Sequence, residues 1–194
     1  MIQTVCVYCA SSTTIDSVYT EAAADLGRLL GEHRLKVING AGSMGLMRTV
    51  ADAVMQAGGT VTGVIPRFMI KMGWGYPALT ETIEVDTMHE RKQIMASVSD
   101  AAIAMPGGYG TLEELLEIIT WKQLGIYLKP IIILNTNHYY DDLLSMFHHA
   151  VDEHFVHQQH ASLWHVAETP EAAVKMLFRQ EKSEYVAKNV CNYQ

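Results

Sequence analysis

The chain is poor in cysteine: only Cys6, Cys9 and Cys191 occur among 194 residues, an odd and sparse count that gives no disulfide framework. Cys6 and Cys9 form a C-x-x-C string, but it lies in a strand-like run, where positions three apart face opposite ways. Two small buried hydrophobes are expected there, in preference to a redox pair or a metal site. Charge is scarce too, at 18% against 49% hydrophobic residues, which leaves ample apolar side chain for a core and too little charge for a disordered chain. Basic residues are outnumbered 14 to 21, and a formal charge of −7 discourages diffuse binding to nucleic acid or an anionic membrane. No apolar run reaches the roughly 18 residues of a membrane span. The first residues lack the basic and apolar regions of a signal peptide, so a cytoplasmic protein is expected. Any phosphate that it binds must be gripped locally. Low charge combined with eleven methionines points to surface buried in an oligomer.

What is present is an alternation of short apolar runs with segments of helical period. Strands are expected at 4–10, 35–39, 60–66, 82–85, 101–105, 130–135 and near 163–167. Helices are expected at 16–33, 44–57, 88–98, 112–125, 139–155 and 170–180, with an irregular connection over 67–80. The pattern predicts an α/β fold with one doubly wound, mostly parallel sheet, helices on both faces and ligands beyond the carboxyl ends of the strands. No repeat or linker interrupts it, so residues 1–180 read as a single nucleotide-binding domain followed by a polar tail, 181–194.

Two glycine loops carry the chemistry. Gly40-Ala-Gly42-Ser-Met-Gly45 is a G-x-G-x-x-G between a strand and a helix, where backbone amides and the helix N-terminus can hold a phosphate. It follows the second strand, and positions 65–67 offer no acid for a ribose diol, which disfavours a dinucleotide and leaves a phosphomonoester or a ligand-free turn. No Walker lysine is present, so nucleoside triphosphate hydrolysis has no support. Pro106-Gly107-Gly108-Tyr109-Gly110-Thr111-Leu112-Glu113-Glu114 is the more specific stretch, a second cradle before a periodic helix. Thr111 and Glu114 have the spacing of a capping box. Alternatively, Glu113 and Glu114 in a first helical turn would face the hydroxyls of a substrate.

Within 88–98, a helical projection sets Met88, Ile94, Met95 and Val98 on one arc with Arg91 in its middle and Lys92 on its edge. A guanidinium among core residues needs an anion, either an internal carboxylate or a bound phosphate. His154, His157 and His160 drift around a helix axis and read as solvated, not as metal ligands. Met69, Met72, Trp74 and Tyr76 either wall a base or pack against a second subunit.

Met88-His-Glu-Arg-Lys92 followed by the P-G-G-x-G-T-x-x-E string closely resembles the LOG (Lonely Guy) family of cytokinin riboside 5′-monophosphate phosphoribohydrolases, long mislabelled lysine decarboxylases. The resemblance runs from Val5 to Asn135; Ala10 stands where the family commonly has glycine. It implies a Rossmann-like homodimer with the active site near the subunit interface and no cofactor or metal. The implied reaction is hydrolysis of the N-glycosidic bond of AMP or N6-modified AMP to free base and ribose 5-phosphate. Arg91 and Glu114 would be the catalytic pair, and Gly107, Gly108, Gly110 and Thr111 would hold the phosphate. Ser12, Gly42, Ser43 and Gly45 would line the site, with Met88 and Lys92 near the nucleoside. A non-catalytic nucleotide carrier or sensor on the same loops is the alternative. Lysine decarboxylation would need a Schiff-base lysine, for which Lys92 beside Arg91 is a poor candidate.

Overall fold

A computed structural model describes residues 2–178. Its strands are β1 (Thr4–Tyr8), β2 (Lys36–Asn39), β3 (Thr60–Pro66), β4 (Glu81–Val85), β5 (Ala101–Ala104), β6 (Ile131–Leu134) and β7 (His165–Ala167). They form one seven-stranded sheet in the order β4-β3-β2-β1-β5-β6-β7, and every pairing is parallel. The helices are α1 (Ser17–Glu32), α2 (Gly45–Gln56), α3 (Arg67–Lys71), α4 (Met88–Val98), α5 (Tyr109–Gln123), α6 (Asp141–Asp152) and α7 (Pro170–Leu177).

Alternation along the central strands divides the core in two. Val5, Val7 and Cys9 of the first strand segment, with Ile103, Met105, Ile132 and Leu134, face α1, α2 and α7. Cys6, Tyr8, Ala102, Ala104, Ile131 and Ile133 face α4, α5 and α6. Helices therefore cover both faces, as the doubly wound reading expects. Cys6 and Cys9 fall on opposite faces, and burial pushes both thiols far up.

α1 starts at Asp16, whose carboxylate accepts a hydrogen bond from the Val18 amide at 3.1 Å. Its buried stripe, Ala22, Ala23, Leu26 and Leu30, meets α2 at close range because Gly27 and Gly31 have no side chain. A Cβ on Gly27 would lie 2.6 Å from the Val50 carbonyl oxygen, and one on Gly31 would lie 2.6 Å from that of Val54.

Several boundaries differ from the sequence expectation for identifiable reasons. The connection 67–80 contains α3, which has no buried residue and hence no apolar stripe to betray it. α5 begins at Tyr109, ahead of the expected residue 112, because Gly110, a poor helix former, lies inside its first turn. α6 is shorter than 139–155, since a 3-10 turn over Thr136–His138 precedes it. The expected end of the last helix at residue 180 and the tail 181–194 lie outside the described residues.

From β1 the chain winds outward through β2 and β3 to β4, then returns to β5 on the other side of β1. The loops after β1 and β5 thus diverge at a switch point, where a crevice must open. No described helix is long and apolar enough to cross a membrane.

Gly27→Ala tests the α1–α2 contact. Alanine gains up to about 1 kcal/mol of helix propensity, whereas crowding a rigid carbonyl costs about 1–3 kcal/mol. Net destabilisation in urea unfolding is expected; a gain in stability would show that the two helices separate freely.

Candidate active site

A cavity of about 700 Å³ opens at the switch point, well within the range of small-molecule sites. Four segments supply its walls. Ser12 comes from the loop after β1, Gly42 and Ser43 from the loop after β2, Arg91 from α4, and Gly108, Gly110, Thr111 and Glu114 from the loop and helix after β5. The structure thus brings together eight of the twelve residues singled out in the sequence. Gly45, Gly107, Met88 and Lys92 lie outside the cavity lining.

Two of these four are glycines because of local packing. A Cβ on Gly45, whose φ is +61°, would stand 2.5 Å from the backbone of Ser11 and Ser12. One on Gly107 would collide with the Thr111 side chain. Gly45 lets the loop after β1 close up, and Gly107 makes room for Thr111 in the first turn of the helix that follows it. By contrast, no atom stands within 4 Å of a Cβ built on Gly108 or Gly110, so a ligand can approach that backbone closely.

The two loops are not equivalent. In the first, the Ser43 amide donates to the Trp74 carbonyl at 3.0 Å and the Met47 amide to the Ala10 carbonyl at 3.2 Å. Asn39 fixes the turn by accepting from the Ala41 amide at 2.9 Å. Much of this loop's donor capacity is spent inside the fold. In the second loop, Leu112 is the first residue to donate back along the helix, to Gly108 at 3.0 Å. The amides of Tyr109, Gly110 and Thr111 precede it and have no hydrogen-bond partner among the described residues. Free amides at a helix N-terminus are suited to holding an anion.

Arg91 is 6% exposed and meets no carboxylate in an ion pair among the described residues. Its Nε donates to the Val64 carbonyl at 3.1 Å and its Nη2 to the Gly40 carbonyl at 2.8 Å, while Nη1 has only the Met88 sulfur at 3.8 Å. The internal ion pair offered by the sequence is not formed among the described residues. A buried cation is instead held by two carbonyls, with donor capacity left over at the cavity wall.

The projection of α4 also needs correction. Met88 and Val98 are exposed, and the buried face is Arg91, Lys92, Met95 and Ala96. Lys92 donates to Glu113 at 2.6 Å and Glu117 at 3.2 Å, tying α4 to α5. Burial pulls its ammonium down, yet the bonds to Glu113 and Glu117 outweigh this and raise it overall.

Glu114 does not cap its helix. Gly108 is the N-cap and offers no side chain, so the Thr111–Glu114 capping box is not formed and both acids fall beyond the first turn. Half-buried at the cavity wall, Glu114 has no hydrogen-bond partner among the described residues. Burial pushes its carboxyl up to about 7; the Arg91 cation opposes the rise, and Glu113 adds to it.

Sequence reasoning missed Met44 and Met47, which line the cavity beside Met69 and Trp74. Tyr76 instead reaches Asp52, and Met72 lies outside. His160 is buried with Nδ1 unpartnered, contrary to a solvated reading, and no cluster suited to a metal occurs among the described residues.

The family profile described as "Possible lysine decarboxylase" matches residues 47–177. The Arabidopsis thaliana cytokinin riboside 5′-monophosphate phosphoribohydrolase LOG5 is 49% identical over 152 residues, 78% of this chain and 67% of its own. LOG4 of the same plant is 44% identical over 188 residues, 96% of this chain and 87% of its own. The chain belongs to the LOG family.

Among solved structures, that of TM1055, a structural-genomics target, superposes with a TM-score of 0.72 at 27% identity, covering 91% of this chain and 98% of its own. The molybdenum cofactor binding protein of Rippkaea orientalis reaches 0.69 at 21% identity over 91% and 96%, which shows a shared fold alone. The decarboxylase label on the LOG profile finds no support in Lys92, whose ammonium is locked between two carboxylates away from the cavity.

Gly40→Ala probes the seat of Arg91, because a Cβ there would occupy the space of Nη2. Displacing the guanidinium by about 1 Å is expected to lower turnover by roughly 100-fold. Steady-state kinetics with thermal unfolding checks this; wild-type activity would mean that the Gly40 contact does not set the arginine.

Proposed function

We propose that the cavity hydrolyses the N-glycosidic bond of adenosine 5′-monophosphate or its N6-modified forms, giving the free base and ribose 5-phosphate. The observation that carries this is a carboxyl, raised to about 7, that faces the same cavity as a buried arginine with no ion-paired carboxylate among the described residues. A passive carrier needs the anion cradle but has no use for such a carboxyl.

The amides of Tyr109, Gly110 and Thr111 grip the phosphate, with Arg91 as counter-charge. That grip turns binding energy remote from the bond into orientation of the ribose. Met44, Met69 and Trp74 supply an apolar wall for the base. Glu114 in its ionised form stabilises the oxocarbenium-like sugar and takes a proton from the attacking water. The hydroxyl ends on the anomeric carbon, and the displaced nitrogen leaves with the base and acquires a proton. Ser12, Gly42 and Ser43 complete the wall. Gly45, Gly107, Met88 and Lys92 support these groups from behind.

A homodimer fits the surface. Leu116, Leu124, Ile126 and Leu128, on α5 and the loop after it, and Val98 at the end of α4 are exposed apolar side chains that a second copy would cover.

Purified protein given AMP and N6-isopentenyl-AMP is expected to release base and ribose 5-phosphate. Arg91→Ala and Glu114→Gln are each expected to lose about 10²–10⁴-fold in kcat/KM. Because the ionised carboxylate is required, kcat/KM of the wild type should rise with pH through about 7. Binding of AMP without turnover would establish a carrier instead. Light scattering should give twice the 21.6 kDa chain mass, and a monomer would refute the dimer.

A further inference from the structure

The second glycine loop is buttressed by two adjacent tyrosines that lie outside the cavity and that the proposed reaction does not use. Tyr139 Oη donates to the Gly107 carbonyl at 2.7 Å, and Tyr140 Oη donates to the Met105 carbonyl at 2.6 Å. Both come from the segment between β6 and α6, and their position is firmly set. The Tyr140 amide donates to Asn135 Oδ1 at 2.7 Å, and Asn135 Nδ2 to Asp141 Oδ1 at 2.7 Å. The Tyr139 ring packs edge-on against Tyr140 at 5.0 Å and Tyr19 at 5.8 Å.

The two bonds differ in what lies on the other side of the peptide. In a trans peptide the carbonyl of one residue and the amide of the next point in opposite directions. A carbonyl fixed toward Tyr139 therefore fixes the Gly108 amide away from it, and Gly108 lines the cavity while Tyr139 does not. Glycine stands on both sides of this peptide, so little else in the local backbone resists a flip that would turn a carbonyl oxygen toward the anion. The Met105 carbonyl precedes Pro106, which has no amide hydrogen to orient.

We infer that Tyr139 is a positioning residue that latches the Gly107–Gly108 peptide with its N–H toward the substrate phosphate, while Tyr140 secures the fold of the same loop without contributing to phosphate recognition. The inference rests on the reading of this loop as the phosphate cradle. It assigns phosphate selectivity to a hydroxyl that touches no substrate.

Titration calorimetry with two probes, ribose 5-phosphate and adenosine, separates the roles. Tyr139→Phe is expected to weaken ribose 5-phosphate about tenfold, to leave adenosine unchanged and to raise KM for AMP with little effect on kcat. Tyr140→Phe is expected to lower the unfolding midpoint by a few degrees while leaving the affinity ratio of the probes unchanged. Undiminished ribose 5-phosphate binding by Tyr139→Phe overturns the latch. So does equal weakening of both probes, or a ratio change of the same size in Tyr140→Phe. Wild-type protein that fails to bind ribose 5-phosphate would instead remove the reading of the loop as a phosphate cradle.

Discussion

A buried guanidinium with no ion-paired carboxylate among the described residues is the constraint around which this end of the sheet is arranged. Taking such a charge out of water is expensive, and Arg91 recovers part of the cost from the Val64 and Gly40 carbonyls. Those two acceptors dictate other features. Val64 presents its carbonyl from within β3, and glycine at position 40 leaves Nη2 the space that a Cβ would take. The turn that follows runs through Ala41 at a φ of +58°, in the left-handed region that alanine rarely visits, and Asn39 clamps it there. Strain in this loop is therefore tied to the seat of the arginine.

Division of labour between the two glycine loops follows from that arrangement. The first is committed to structure: it seats Arg91, packs Gly45 against Ser11 and Ser12, and pairs across Gly42 and Gly75 with the segment that carries Trp74. The second keeps its helix N-terminal amides unspent. Lys92 joins the helices that carry the two key groups, because it follows Arg91 on α4 and binds Glu113, the neighbour of Glu114, on α5. One ion network thus ties together the two elements from which the proposed catalytic pair is drawn.

The fold was legible because its signals are local and repeated. β6 is an unbroken apolar run, the C-x-x-C reads as strand from period two alone, and the glycine loops mark two strand-to-helix turns. Arg91 stood out as an ion on an apolar arc, which the structure redraws around Lys92, Met95 and Ala96, and Glu114 as an acid after a glycine loop. What stayed hidden depends on contacts distant in sequence. Lys92 looked peripheral because a helical projection cannot see two glutamates 21 and 25 residues away. α3 buries nothing and so leaves no period. Tyr139 and Tyr140 carry no motif; their value lies in carbonyls 32 and 35 residues upstream. Gly45 and Gly107 were expected to bind substrate but lie outside the cavity lining, because the sequence could not tell a glycine that admits a ligand from one that admits a neighbouring residue of the fold.

An acidic protein that binds a dianion beside its own carboxylate faces an electrostatic conflict. Two like charges near 4 Å repel by about 4 kcal/mol at the effective dielectric of a protein surface. Bulk charge worsens the conflict here, because the chain carries −7 overall. Three local devices oppose it: amide dipoles that add no net charge, the Arg91 cation, and the readiness of Glu114 to hold its proton up to about 7. A protonated Glu114 lets phosphate enter at low electrostatic cost, but only the ionised form can accept a proton from water. Arg91, which draws the carboxyl down against the rise caused by burial, is the group that reconciles the two. In the proposed reaction a single cation serves the anion and the acid, and a seat built from the Val64 and Gly40 carbonyls leaves its charge unneutralised for both.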